Sequence, residues 1–187
     1  MSILKNSYKV INGIFTFKIN INTTKLVSDE YNLNPFPHYK NLETKQSLLN
    51  NGNKNHFSKE LKKYIGLNKT VLEAGAGTCQ LSNYLSISTN NKIFALDPTI
   101  ESLKLGKTFA DKNEIKNNTF VQGDILEIDQ VFNKDKFDIV YCSGVLHHTK
   151  EPYMGFVNLC EVLKKDGLII IGLYNKYGRL RTIIRQL

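Results

Sequence analysis

The stretch Val71-Leu-Glu-Ala-Gly-Ala-Gly-Thr-Cys-Gln-Leu81 constrains the fold of this chain more than any other. A short apolar run enters it, two glycines allow a sharp turn, and an amphipathic segment leaves it with Leu81, Tyr84 and Leu85 on one face. That order reads as strand, tight turn, helix. The alternation then repeats. Strands are expected at Lys69–Ala74, Lys92–Leu96, Thr119–Gln122, Phe137–Tyr141 and Leu168–Leu173, helices at Thr78–Ile87, Thr99–Asp111 and Glu151–Leu163, and a short helix or turn at Ile125–Val131. Lys164-Lys165-Asp166-Gly167 reads as the end of the last helix, with basic residues and then glycine. Short apolar strands separated by helices make an α/β fold with a parallel sheet covered on both faces.

The upstream region has a different texture. Phe15, Phe17, Ile19 and Ile21 alternate with polar residues, Tyr8–Ile11 precedes them, and Asn12-Gly13 lies between. Asn-Gly suits a two-residue hairpin turn because both positions tolerate positive φ. The segment Tyr31–Tyr39 holds Pro35 and Pro37, which forbid a regular helix or central strand. Its aromatics need a surface, so it is expected to lie as a lid over the pocket at the strands' C-terminal ends. Helices follow at Leu42–Leu49 and His56–Ile65, broken by Asn50-Asn-Gly-Asn53, the second with Ser58 as N-cap and Leu61, Tyr64 and Ile65 as its apolar stripe. The division is residues 1–45, hairpin and lid, and residues 46–187, the α/β domain.

At 187 residues the chain can bury one proper core without staples. No apolar run reaches the roughly 20 residues of a membrane span, and the N-terminus lacks a signal-peptide core, so a soluble, cytoplasmic protein without membrane partners is expected. Cys79, Cys142 and Cys160 are odd in number and lack zinc-ligand spacing, so they read as buried small residues; Cys79, at a helix N-terminus, is the candidate for a lowered thiol pKa. The net charge of +8 divides into +7 over residues 1–70, −3 over 71–170 and +4 over 171–187. Basic flanks can attract nucleic acid or an anionic metabolite, or simply stay solvated.

The first turn, Gly75-Ala76-Gly77, brings backbone N–H groups close to a ligand, and the helix behind it adds a positive end. A dinucleotide fingerprint needs a third glycine where Leu81 stands. Glu73, two residues before the first glycine, instead suits a ligand with an amino-acid end: its carboxylate faces the ammonium, and the helix N-terminus faces the ligand's own carboxylate. Asp97, before Pro98, ends the second strand and can accept both hydroxyls of a ribose, or cap the next helix. Gln122-Gly-Asp-Ile125 ends the third strand and reads equally as an adenine site or as a turn capped by Asp124.

Together these pieces resemble the class I S-adenosylmethionine-dependent methyltransferases. The motifs arrive in that family's order: Val71-Leu-Glu-Ala-Gly-Ala-Gly-Thr, Ala95-Leu-Asp-Pro, Gly123-Asp-Ile, Phe137-Asp-Ile-Val-Tyr-Cys-Ser-Gly-Val-Leu-His-His-Thr149 and Val162-Leu-Lys-Lys-Asp-Gly-Leu-Ile-Ile-Ile171. The resemblance implies S-adenosylmethionine as cofactor and S-adenosylhomocysteine as product. It places Glu73, Gly75, Ala76 and Gly77 at the methionine part, Asp97 and Pro98 at the ribose, Asp124 and Ile125 at the adenine, and Ser143 and Gly144 near the sulfonium. It also implies strand order 3-2-1-4-5. His147 and His148 face the acceptor side, as a general base or as wall and capping residues.

Two features depart from the family pattern. Cys79 stands where the family often has glycine, and only five strands are readable where the family has seven, the last two forming an antiparallel edge. The expected activity is methyl transfer to a small-molecule or nucleic-acid acceptor; the alternative is a non-catalytic cofactor-binding or interaction module. A bare fifth-strand edge is a liability. Either the natural protein continues beyond Leu187, or this edge pairs with a second copy, giving a homo-oligomer, or with the N-terminal hairpin.

Overall fold

A computed structural model describes residues 2–20, 35–39, 42 and 44–174. The start of the proline segment, the far end of the alternating Phe15–Ile21 run and the basic tail lie outside the described residues.

The five expected parallel strands are β3 (Thr70–Ala74), β4 (Lys92–Asp97), β5 (Asn118–Gln122), β6 (Phe137–Ser143) and β7 (Leu163–Gly172). They lie in the order β5-β4-β3-β6-β7, which is the expected 3-2-1-4-5. The sheet is larger than that order alone, because the hairpin joins it. β1 (Lys9–Ile11) and β2 (Ile14–Thr16) pair antiparallel through Asn12 and Gly13, whose φ values of 50° and 75° are those of the tight turn the dipeptide favours. β2 then runs parallel to β5, with Phe15 beside Val121 and Thr16 beside Gln122, making seven strands. The hairpin therefore covers the β5 edge. It does not cover β7, the edge to which its alternating residues had been matched, and no described strand pairs with the outer side of β7.

Alternate residues of each strand feed two apolar cores, one per face of the sheet. Ile14, Val71, Ile93, Ala95, Phe120 and Ile139 enter one; Phe17, Leu72, Phe94, Leu96, Val121 and Val140 enter the other. The first core is closed by α1 (Lys45–Lys54), α2 (His56–Ile65), α3 (Gln80–Ser86) and α4 (Ile100–Lys112). The second is closed by α5 (Ile128–Val131), α6 (Pro152–Val162) and the segment around Leu4, which bridges Phe132.

Four local expectations are corrected. α1 runs through Asn50-Asn-Gly-Asn53, because Gly52 lies against the ring of Tyr84, a position with no room for a Cβ, and Asn53 accepts the Tyr84 hydroxyl proton at 2.8 Å. The break comes at Asn55, which ends α1 and caps α2 by accepting from Ser58 N–H at 3.0 Å; Ser58 is not the cap. Tyr64 is 68% exposed, so only Leu61 and Ile65 of its stripe are buried. Lys164–Gly167 do not cap α6. The chain enters β7 directly at Leu163, and these residues form the irregularity between the Phe137–Leu163 and Ile139–Leu168 pairs. There the Lys164 ammonium meets Asp138 at 2.8 Å.

Candidate functional site

The C-terminal ends of β3, β4 and β6 open onto one cavity of about 580 Å³, within the range of small-molecule sites. Glu73 and Asp97 face it from β3 and β4, although both are more than nine-tenths buried. Glu73 accepts a short hydrogen bond from the Ser82 hydroxyl of α3. Burial pushes its carboxyl up to about 7; the Ser82 bonds oppose that, and the nearby Asp97 carboxylate adds to it. Asp97 accepts Gly77 N–H and Thr99 N–H, each at 2.8 Å, and burial raises its pKa against those bonds. It therefore braces the glycine loop and caps the next turn. The Thr99 side chain bonds to it as well, so of the roughly four acceptor sites of an ionised carboxylate about one remains for a ligand hydroxyl.

The glycine loop differs from expectation in where its amides go. Gly75 and Ala76 donate to Leu96 O at 2.8 and 3.0 Å, Gly77 to Asp97, and Cys79 to Ala76 O. The loop is thus rigid, tied to β4, and presents few open donors. At Gly75 a Cβ would run into Val145, and at Gly77 it would sit 2.5 Å from the Phe36 carbonyl, so both glycines are demanded by close approach as well as by positive φ. Cys79 takes φ 61° and is fully buried; the glycine at position 106 of α4 makes room for it. Burial, not a helix end, governs its thiol, which is raised well above the ordinary value. Cys142 is also buried, whereas Cys160 is exposed, against expectation.

Of the sequence-derived candidates, Glu73, Gly75, Ala76, Gly77, Asp97, Pro98, Ser143, Gly144 and His148 line the cavity together. Asp124, Ile125 and His147 do not. Asp124 caps the short turn after β5 by accepting Leu126 N–H at 2.8 Å, and its second carboxylate oxygen is buried without a hydrogen-bond partner. Ile125 is buried in the second core. The His147 ring packs at a tilt between His148 and Tyr174, at centroid distances of 4.1 and 4.2 Å. Residues not anticipated also line the cavity: Tyr141 and Tyr174 at strand ends, Tyr84, and Asn51, Asn55 and Ser58 from the α1–α2 junction. The first two stand where ligands of parallel sheets bind and could have been found on that ground. The junction residues carry no local signal. Phe36 and Pro37 form another part of the wall, on the side of the sheet's C-terminal edge.

Among the described lining residues there is no Lys or Arg. No group of three or more metal-ligating side chains occurs among the described residues, and no helix of theirs is long and apolar enough to cross a membrane. Two buried carboxylates on adjacent strands, a glycine loop of close approach and a cavity of this size fit the amino-acid and ribose ends of S-adenosylmethionine.

A family model described as a methyltransferase domain matches residues 65–186. A ubiquinone biosynthesis O-methyltransferase from Glaesserella parasuis is 27% identical over 119 residues, covering 62% of this chain and 50% of that protein. The crystal structure of YcgJ from Bacillus subtilis superposes with TM-score 0.60 at 24% identity, over 70% of this chain and 56% of that one. A SAM-dependent methyltransferase from Aquifex aeolicus superposes with TM-score 0.56 at 20% identity, over 81% and 72%. The chain spans half or less of the length of the curated relatives it matches. With motif order, sheet topology and family model in agreement, the chain belongs to the class I S-adenosylmethionine-dependent methyltransferase family.

Proposed function

We propose that this protein binds S-adenosylmethionine in the cavity and transfers its methyl group to a small-molecule acceptor. The observation that carries this reading is the pair of buried carboxylates, Glu73 and Asp97, facing one cavity beside the glycine loop. When bound, S-adenosylmethionine supplies a methyl group activated by the adjacent sulfonium. Glu73 faces the ammonium and Asp97 accepts a ribose hydroxyl, with Pro98 against the sugar. Asp124 and Ile125, which the resemblance assigns to the adenine, stay outside the cavity lining and take no cofactor contact in this reading. Ser143 and Gly144 form the wall beside the reacting centre.

The acceptor lies against Tyr141, His148 and Tyr174. In-line positioning is the main contribution such a site makes. His148, which reaches the cavity, accepts a proton where the acceptor is a hydroxyl, and His147 packs behind it. A small molecule is favoured over nucleic acid because phosphate binding relies on Lys and Arg, which the described lining lacks. The outer edge of β7 is the surface through which a second copy would add its strand; a mass that rises with concentration in light scattering is the expected sign.

The test is calorimetry with S-adenosylhomocysteine, with NAD as competitor, followed by labelled methyl transfer to metabolite extracts and to bulk RNA. Binding that NAD does not displace, with label entering the small-molecule pool, is expected. Binding without transfer to any pool would leave a cofactor-binding module, and no binding would remove the reading.

A further inference from the structure

Residues 35–39 make an unusual contact with the glycine loop. Three successive backbone carbonyls face it: Phe36 O accepts Thr78 N–H at 3.4 Å, Pro37 O accepts the Thr78 hydroxyl at 2.5 Å, and His38 O accepts the Gln80 side-chain amide at 2.8 Å. Pro37 has no N–H to offer a strand, and residues 36–38 meet the loop through their backbone acceptors. The approach is close enough that only glycine fits at position 77. Phe36 is nevertheless 66% exposed while lining the cavity, an apolar ring that a ligand beneath it would cover.

What holds this strap is Tyr39. Its hydroxyl donates to Thr78 O at 2.9 Å and accepts from the Asn83 amide at 3.0 Å, and its ring stacks on Phe109 with centroids 4.7 Å apart. Asn83 is fully buried and fixed in turn, donating to Gly106 O at 2.9 Å and accepting from Asn118 at 2.8 Å. The phenol is thereby tied to α3, α4 and β5 at once. Buried hydrogen bonds strengthen one another and so hold the Tyr39 phenol in place, although Asn118 Oδ1 at the far end of the chain of bonds has no partner.

We propose that Tyr39 is a positioning residue for cofactor binding: through Asn83 and Thr78 it holds residues 35–39 as a fixed wall over the glycine loop, and so sets how fast the cofactor leaves. This rests on the cofactor reading above. Tyr39→Phe keeps the ring stack but removes both hydroxyl bonds. S-adenosylhomocysteine should then dissociate about five- to tenfold faster with little change in association, because losses of bound-state order are expressed mainly in the off-rate. The chain has no Trp, so Phe36→Trp places a single fluorophore on the strap. Stopped flow in that background reads release, and calorimetry on the Trp-free proteins reads Kd.

Val162→Ala, in the second core, is the control for general destabilisation. It should lower Tm without altering release. If Tyr39→Phe does not fold, Gln80→Ala, which removes the bond to His38 O together with one side chain of the cavity lining, should speed release by a smaller factor. Wild-type binding with unchanged release in the folded Tyr39→Phe variant, or in Gln80→Ala where it stands in, would overturn the proposal alone. Faster release in Val162→Ala at an equal loss of Tm would do the same. Failure of the wild-type protein to bind S-adenosylhomocysteine would overturn the cofactor reading, and this proposal with it.

Discussion

Glu73 couples the fold to pH. Its carboxyl titrates near about 7 in the folded protein, against 4.5 for an unperturbed group. Between those values the native state binds a proton that the unfolded chain has lost, so this group's contribution falls as pH rises through that window. Glu73→Gln cannot ionise. Its Tm relative to wild type should be flat below about pH 4.5 and rise to a plateau above about pH 7; a constant difference in thermal scans from pH 4 to 8 would exclude this. A ligand ammonium favours the ionised form, so S-adenosylhomocysteine binding should weaken below pH 7, with proton release visible in buffers of different ionisation enthalpy. Asp97→Asn should cost about 1.5–3 kcal/mol of S-adenosylhomocysteine binding by calorimetry, since hydrogen bonds to a charged acceptor are the stronger kind. A folded variant of unchanged affinity would take Asp97 out of the site.

At the scale of elements, the least legible part is the α1–α2 junction. Asn50-Asn-Gly-Asn53 has the composition of a break, yet α1 passes through it because Tyr84 fills the space that Gly52 leaves. Propensity is a weak prior that a tertiary contact overrides. An exposed helical glycine usually gains about 1 kcal/mol on becoming alanine. Here the sign should reverse: Gly52→Ala forces the Tyr84 ring to move and should destabilise by about 1–3 kcal/mol in denaturant titration. A gain in stability would show that the ring yields freely. The hairpin shows the converse. Asn12-Gly13 was enough to locate it, but its short strands meet β5, and which edge it would join had no local signal.

For the whole molecule, the sheet divides the interior into two cores with separate residue sets. Ile93→Val in the first and Ile128→Val in the second should each cost about 0.5–1.5 kcal/mol. Their effects should add within about 0.5 kcal/mol, as expected of sites that share no partners. A larger coupling in a double-mutant cycle would mean that strain crosses the sheet.

By itself the sequence determined the strands, the helices between them and the two carboxylates of the cavity, while the order of the five-strand core came from the family resemblance. These depend on local signals: periodicity of apolar residues, glycines that permit a turn, and acids at strand ends. Glu73 and Asp97 converge because adjacent parallel strands must end side by side, so topology alone brings them together. The tertiary structure decided the rest. It separated His148 from His147, and kept Asp124 and Ile125 out of the lining. It spent the loop amides on β4, and brought Asn51, Asn55, Ser58 and residues 36–37 to the cavity wall. Each of these depends on which surfaces meet across long sequence separations, where a side chain's neighbours are set by packing and not by spacing along the chain.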